Sequence, residues 1–338
     1  MSFSNSGGKF VISLDFELMW GVRDIVTIDS YGEHIRGVHE ALPKMLACFQ
    51  RHNIKATFAT VGMLFFKTKE ELLAGLPKTE PRYKIANLSP YGDYMMKNVG
   101  EDYKSDPYHF APELIKLIQD SPNQEIGTHT FSHYYCLEAW QTVDNFRDDL
   151  EAAMNAAKKM GIQITSIVFP RNQFNNNYLQ VCKDAGILTY RNNEESWLYN
   201  ARSGEKESLV RRALRLMDAY INLTGHHCYT EEYMLSSGFP VNIPSSRFLR
   251  PYMTRLQFLD WLLLKRIKKS MTHAATNNLM YHLWWHPHNF GINQLENFAF
   301  LEEILVHYRY LNEKYGFTSC TMTELAHELI AEQKKRGQ

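Results

Sequence analysis

Hydrophobic and polar positions along the chain fall into two kinds of stretch. Short β-branched or apolar runs ending in polar residues recur as KFVISLDFE (9–17), KATFATVG (55–62), QEIGTHT (124–130) and ITSIVFPRN (164–172). Later ones are GILTYRNN (186–193), FPVNIPSS (239–246), NLMYHLWWH (278–286) and FTSCTM (317–322). Between most of them lie helical patterns: GVHEALPKMLACFQRHN, NFRDDLEAAMNAAKKMG, NNYLQVCKDAG and LEEILVHYRYLNEKYG. The last three close on glycine, a frequent helix end. Strand and helix in repeated alternation predict an α/β fold built on a parallel sheet or barrel. The stretch from about 75 to 112 is rich in Pro, Gly and Tyr and has no clear period, so it reads as a long insertion after the second strand.

The polar ends of these runs matter most. Asp15 and Glu17, His129 and His133, Arg171, Asn192 and Asn193, and His286 and His288 all fall at C-terminal ends of expected strands. An α/β barrel gathers its chemistry there, bringing together residues far apart in sequence.

A chain with 14 histidines shows roughly half a pair at the His129/His133 spacing by chance, and a catalytic zinc site takes three protein ligands with an open position. Asp15 and Glu17, two apart on a strand, share a face. Between them they offer a third ligand and a base. Arg171, in FPRNQ, is suited to holding a carboxylate in bidentate geometry, the alternative being a surface salt bridge. In YHLWWHPHNFG, His282, Trp284, His286 and His288 share one strand parity. His282 lies deepest and reads as a core histidine with a backbone partner, whereas His286 and His288 lie at the mouth. His226 and His227, in TGHHCY, read as loop residues. Residues 255–274, RLQFLDWLLLKRIKKSMTHA, are expected to form a helix with a Leu/Trp face and a basic end. It reads first as a barrel helix with a solvated end and second as a peripheral membrane contact.

Composition narrows the classes. The 338 residues are 44% hydrophobic and 22% charged, ordinary globular material. Lys plus Arg and Asp plus Glu both count 37, so no global field draws nucleic acid. Five scattered cysteines without a Cys-x-x-Cys pair suit free thiols in a reducing compartment. The N-terminal run lacks a basic leader and is interrupted early by acids, so neither a signal peptide nor a transmembrane segment is expected and the reading is cytoplasmic. The sequons at Asn87 and Asn222 then carry no meaning.

The order Asp-x-Glu, His-x-x-x-His, Arg with Pro, an acidic Trp-containing loop and a late strand histidine resembles the polysaccharide deacetylase family, carbohydrate esterase family four. The resemblance implies a distorted (β/α) barrel of about seven strands, here a single domain over residues 1–338. It also implies metal-dependent removal of an acetyl group from an N-acetylated sugar. HTFSH matches the family's His-(Ser/Thr)-x-x-His motif, which would make His129 and His133 metal ligands. The family's first motif has adjacent aspartates, whereas Phe16 intervenes here and Glu stands second, giving Asp15 as base and Glu17 as ligand. By the same resemblance Arg171 would position the base, His286 would be the general acid, and VNIPSS looks like the family's Pro-x-Ser strand. NNEESW, with Glu195 and Trp197, matches the family's Asp-Trp motif only weakly. Trp20, Tyr134, Tyr135, Trp284 and Trp285, with His288, are candidates to line the sugar site.

The implied cofactor is a divalent metal, zinc first, with Co, Fe, Ni or Mn also compatible with a carboxylate and two imidazoles. The expected substrate is an amino sugar, on a nucleotide-linked or lipid-linked precursor of surface polysaccharide such as lipopolysaccharide. Rival readings are a hydrolase of another non-peptide C–N bond, or a sugar-binding barrel without turnover. Oligomeric state is not legible.

Overall fold

Nine strands form one sheet in the computed structural model, which describes residues 7–199 and 209–336. The strands are β1 (Lys9–Phe16), β2 (Ala56–Thr60), β3 (Gln124–Thr128), β4 (Ser166–Val168), β5 (Thr189–Arg191), β6 (Val241–Asn242), β7 (Arg247–Phe248), β8 (Met280–Trp285) and β9 (Thr318–Cys320). The helices are α1 (Ile28–Arg51), α2 (Lys69–Ala74), α3 (Asp93–Asn98), α4 (Pro112–Asp120), α5 (Val143–Lys159) and α6 (Asn176–Asp184). They continue with α7 (Leu209–Tyr220), α8 (Glu231–Ser236), α9 (Asp260–Thr276), α10 (Gln294–Tyr315) and α11 (Met322–Arg336).

The strands are ordered β6-β5-β4-β3-β2-β1-β8-β7, every pairing parallel, with β9 beside β1. The expected single-domain distorted (β/α) barrel is what forms. β6 and β7 are two halves of one stave, since residues 241–248 pair with β5 at one end and with β8 at the other. The backbone N–H of Ser245 reaches Asn192 O and that of Ser246 reaches His282 O, each at 2.8 Å, which closes the ring. β7 lies one residue past the expected run 239–246, because Pro244 and two serines mask the polarity switch. β9 pairs only with the N-terminal part of β1, at Lys9–Val11, where β2 has not yet begun to pair.

Side-chain alternation sorts β1 into two cores. Phe10, Ile12, Leu14 and Phe16 join the large cluster between sheet and outer helices. Val11 faces inward to a second cluster with Ala59, Val168, Val241, and Met322, Leu325 and Leu329 of α11, which plugs the barrel's N-terminal end. Ser13 and Asp15 continue that inward row, so the interior turns from apolar to polar towards the C-terminal end. Helix ends follow local chemistry: Thr27 caps α1 in a reciprocal capping box with Ser30, and Gly316 takes φ +70° after α10.

The segment at about 75–112 carries α3 and lies over the strand ends. Arg23 donates to the carbonyls of Asn87 (2.8 Å) and Leu88, and Met19 N–H donates to Tyr108 O at 3.1 Å. His226 and His227 lie between α7 and α8, outside any strand. No helix among the described residues is long and apolar enough to cross a membrane.

Candidate active site

β1 ends at Phe16, so Asp15 is its last inward residue and Glu17 the first beyond it. Glu17 is held tightly. A Cβ on Gly21 would lie 2.0 Å from its Cδ, so only glycine at 21 leaves room for the carboxylate.

The two histidines arrive on the loop after β3. Thr130 and His133 both adopt the left-handed region, φ +64° and +59°, uncommon for residues with a Cβ and concentrated at functional sites. Surrounding structure holds them there. Asp149 of α5 accepts from Phe131 N–H at 2.7 Å and from the N–H and hydroxyl of Ser132, while Gly62 N–H donates to Thr130 O at 2.9 Å.

Glu17, His129 and His133 converge, their ligand-capable atoms all within 4.8 Å of one another. Glu17 Oε2 lies 3.4 Å from His129 Nε2 and 3.1 Å from His133 Nε2. His129 Nδ1 faces Val168 O at 2.8 Å; a carbonyl only accepts, so Nδ1 carries a proton and Nε2 is the ring atom turned to Glu17. Burial pushes His133 below the usual imidazole range despite Glu17, which favours the neutral ring a metal takes. For Glu17, burial raises the carboxyl pKa, but His286, His129 and His133 together bring it well below the ordinary value. The donor set, its burial and the His129 tautomer fit a divalent cation of the zinc type.

Asp15 has a different partner. Arg191, fully buried on β5, donates Nη1 to Oδ1 and Nη2 to Oδ2, both at 2.7 Å. The same guanidinium donates to Ser13 Oγ at 2.9 Å and lies 4.2 Å from the Trp284 ring centroid. Burial alone would raise the Asp15 carboxyl; Arg191, His129 and His286 outweigh it and hold it below its usual value. Below this pair, His282 Nε2 meets Ser13 Oγ at 2.8 Å and Nδ1 faces Ile243 O at 3.3 Å; burial and Arg191 push this imidazole down to about 3.

Arg171 does not hold Asp15. It pairs with Asp24, and its guanidinium carbon stacks 4.1 Å over Tyr135. The cause is local: the 3-10 turn Pro170–Asn172 places Arg171 at φ +53°, which turns it to the rim. The signal for Arg191 was a cation inside an apolar strand run, where it must find a carboxylate.

His286 Nε2 lies 3.8 Å from Asp15 Oδ2 and 3.7 Å from Glu17 Oε1, and its side chain is 23% exposed, an opening to the mouth. His288 stacks on it at 4.9 Å and points Nδ1 at Glu17 Oε1 from 3.8 Å; it is buried. Phe248 and Trp284, both partly exposed, flank His286.

Four of the five expected sugar-contacting aromatics are buried instead, all at 0% exposure. Trp20 donates to His109 O at 2.8 Å. Tyr134, turned inward after the left-handed His133, reaches Thr142 O at 3.1 Å. Trp285 takes the outward parity of β8 and packs edge-on against Phe49 of α1. Tyr135 is likewise fully buried.

A carboxylate and two imidazoles that could hold a metal ion converge at the strand ends of a (β/α) barrel, beside an arginine-held aspartate and an accessible histidine. Residues 25–190, 166 of the 338, match the family model described as polysaccharide deacetylase. The match includes His129 and His133. No curated protein matches the chain. A Mycobacterium smegmatis protein proposed to be a polysaccharide deacetylase shares the fold at TM-score 0.60 and 14% identity, covering 98% of this chain and 94% of its own. A Pseudomonas aeruginosa PAO1 protein with the same proposed assignment aligns at TM-score 0.50 and 11% identity, over 89% and 84%. Puue allantoinase aligns at 0.52 and 10%, over 96% and 89%.

Proposed function

We propose that this protein is a metal-dependent amidohydrolase that removes an N-acyl group, acetyl first, from an amino sugar carried on a nucleotide or lipid precursor of surface polysaccharide. The observation that carries the reading is the division of the two strand-end carboxylates: Glu17 meets both imidazoles, and Asp15 meets Arg191.

Glu17, His129 and His133 would hold the metal. Bound there, a divalent ion supplies Lewis acidity towards an amide carbonyl and lowers the pKa of water towards neutrality. Asp15, kept ionised and aimed by two guanidinium bonds, takes the proton of the attacking water. His286, at the open mouth, donates a proton to the departing nitrogen, without which an amine is a very poor leaving group. Trp284 and Phe248 offer partly exposed faces for a sugar ring. His288 backs His286 from the buried side. The five cysteines are unpaired, which supports a reducing compartment, and we read the protein as cytoplasmic.

Acetate release from nucleotide-linked and lipid-linked N-acetyl sugars by metal-loaded protein tests this directly. Release that chelation abolishes supports the reading. If neither sugar class is cleaved and a linear or cyclic amide is, the substrate class is wrong; if nothing is cleaved, the barrel is a binder. His286→Gln is expected to slow amide cleavage by about a hundredfold or more, and cleavage of an activated ester far less. Equal losses would remove the acid role.

A further inference from the structure

The rim beside the mouth carries an apolar surface that this chemistry does not use. From Phe248, packed on Trp284 and His286, the chain runs outward to a 3-10 turn, Thr254–Leu259, and then into α9. Along it Met253, Phe258 and Trp261 are 45%, 67% and 60% exposed. Phe258, Trp261, Lys265 and Lys269 follow at helical spacing and share an outward face, with the Lys265 ammonium 5.7 Å from the Trp261 ring centroid. A surface groove of about 500 Å³ between α9 and α10 is lined by Trp261, Leu264, three lysines and His307. Neighbouring α7 and the turn after it expose Met217, Ile221 and Leu223.

Charge selects the occupant. Arg255, Lys265 and Lys269 surround these side chains, Lys268 is paired with Glu303 of α10 at 2.7 Å, and Asp260 is the lone acid between 253 and 274. Exposed aromatics bordered by lysines match an anionic bilayer, with rings at the headgroup level and ammonium groups against phosphates. A protein interface of ordinary composition is depleted in lysine. The surface is also tied to the site: Tyr252 N–H donates to Asn297 Oδ1 at 2.8 Å, and Asn297 Nδ2 donates to the carbonyls of Asn289 (3.3 Å) and Ile292 (3.0 Å), on the loop that follows His286.

We propose that the face formed by Met253, Phe258, Trp261 and the lysines of α9 docks on an anionic membrane surface and presents the mouth to a lipid-linked acylamino sugar. The choice of substrate rests on the functional reading above; the docking does not. Co-sedimentation with phosphatidylcholine vesicles, with and without about one third phosphatidylglycerol, tests it on the full chain. Wild type should sediment with the anionic vesicles and be released by salt. Lys265→Glu and Lys269→Glu should each weaken partitioning by about fivefold, and Phe258→Ala with Trp261→Ala by at least about tenfold, all with unchanged thermal midpoints. No sedimentation, equal sedimentation on neutral vesicles, or a Trp261-dependent dimer that ignores vesicles would overturn the docking. Acetate release without vesicle binding overturns the docking and leaves the activity; vesicle binding without cleavage of any N-acetyl sugar does the reverse.

Discussion

At the scale of single residues, Asp15 and Glu17 sit two positions apart and experience opposite surroundings. Arg191 gives Asp15 two bonds at 2.7 Å, and the imidazoles crowd Glu17. As the proposed base, Asp15 must be ionised to accept a proton, so activity is expected to fall as pH falls through its pKa. Burial alone would lift that pKa, and Arg191 is the largest influence holding it down. Arg191→Lys keeps the charge but loses the bidentate fork. The acidic limb of kcat/KM should therefore move to higher pH and kcat should drop about tenfold or more, with metal content unchanged. Arg171→Gln, which breaks the pair with Asp24, should leave that limb in place. A pH–rate profile of both variants checks the assignment, and the opposite pattern would return the positioning role to Arg171. The strand-end placement of Asp15, Glu17, His129, His133 and His286 was legible from polarity switches, and the family resemblance is what singled them out and suggested their roles. Arg191 was hidden because one buried cation in GILTYRNN gives no hint of its partner until the strands are in order. Trp20, Tyr134, Tyr135 and Trp285 were misread because ring type says nothing about which side of a strand or turn the ring takes.

Among the elements, the loop carrying His286 and His288 depends on α1. A Cβ on Gly37 would lie 1.9 Å from Gly291 O, and one on Gly291 would lie 1.9 Å from His34 O, so helix and loop meet backbone to backbone. Gly37→Ala must push the loop away, since neither contacting atom belongs to a flexible side chain. We expect it to retain metal bound by Glu17, His129 and His133 while lowering kcat by about tenfold or more, as misplacement near 1 Å does. Metal analysis with steady-state kinetics checks this; metal loss alongside activity would mean that the loop supports the triad as well. The alternating runs predicted nearly all strands, since period-2 and helical spacing differ strongly over long stretches. β7 escaped because Pro244 and the two serines before the strand mask the polarity switch.

Across the whole molecule, the apolar core does not depend on the candidate metal. One cluster fills the space between sheet and helices and another fills the barrel's closed end, where α11 packs, so a chelated protein should keep its fold. Losing a ligand that saturates the native state costs about 4 kcal/mol, which at this size lowers the thermal midpoint by roughly 5–10 °C. Far-UV circular dichroism before and after chelation should superimpose, with activity lost and restored by added metal. Unfolding on chelation would instead make the metal structural. Barrel closure by residues 241–248, pairing with β5 and then β8, could not be read from spacing because it joins staves by geometry.

On the proposed reading, Glu17 completes a metal site with His129 and His133 while Asp15 acts as base. Metal content per chain, measured for wild type, Asp15→Asn and Glu17→Gln purified side by side, tests it most directly. About one equivalent is expected in wild type and in the Asp15 variant, and little or none in the Glu17 variant. Retention by Glu17→Gln with loss in Asp15→Asn, or a wild type without transition metal after loading, would contradict it.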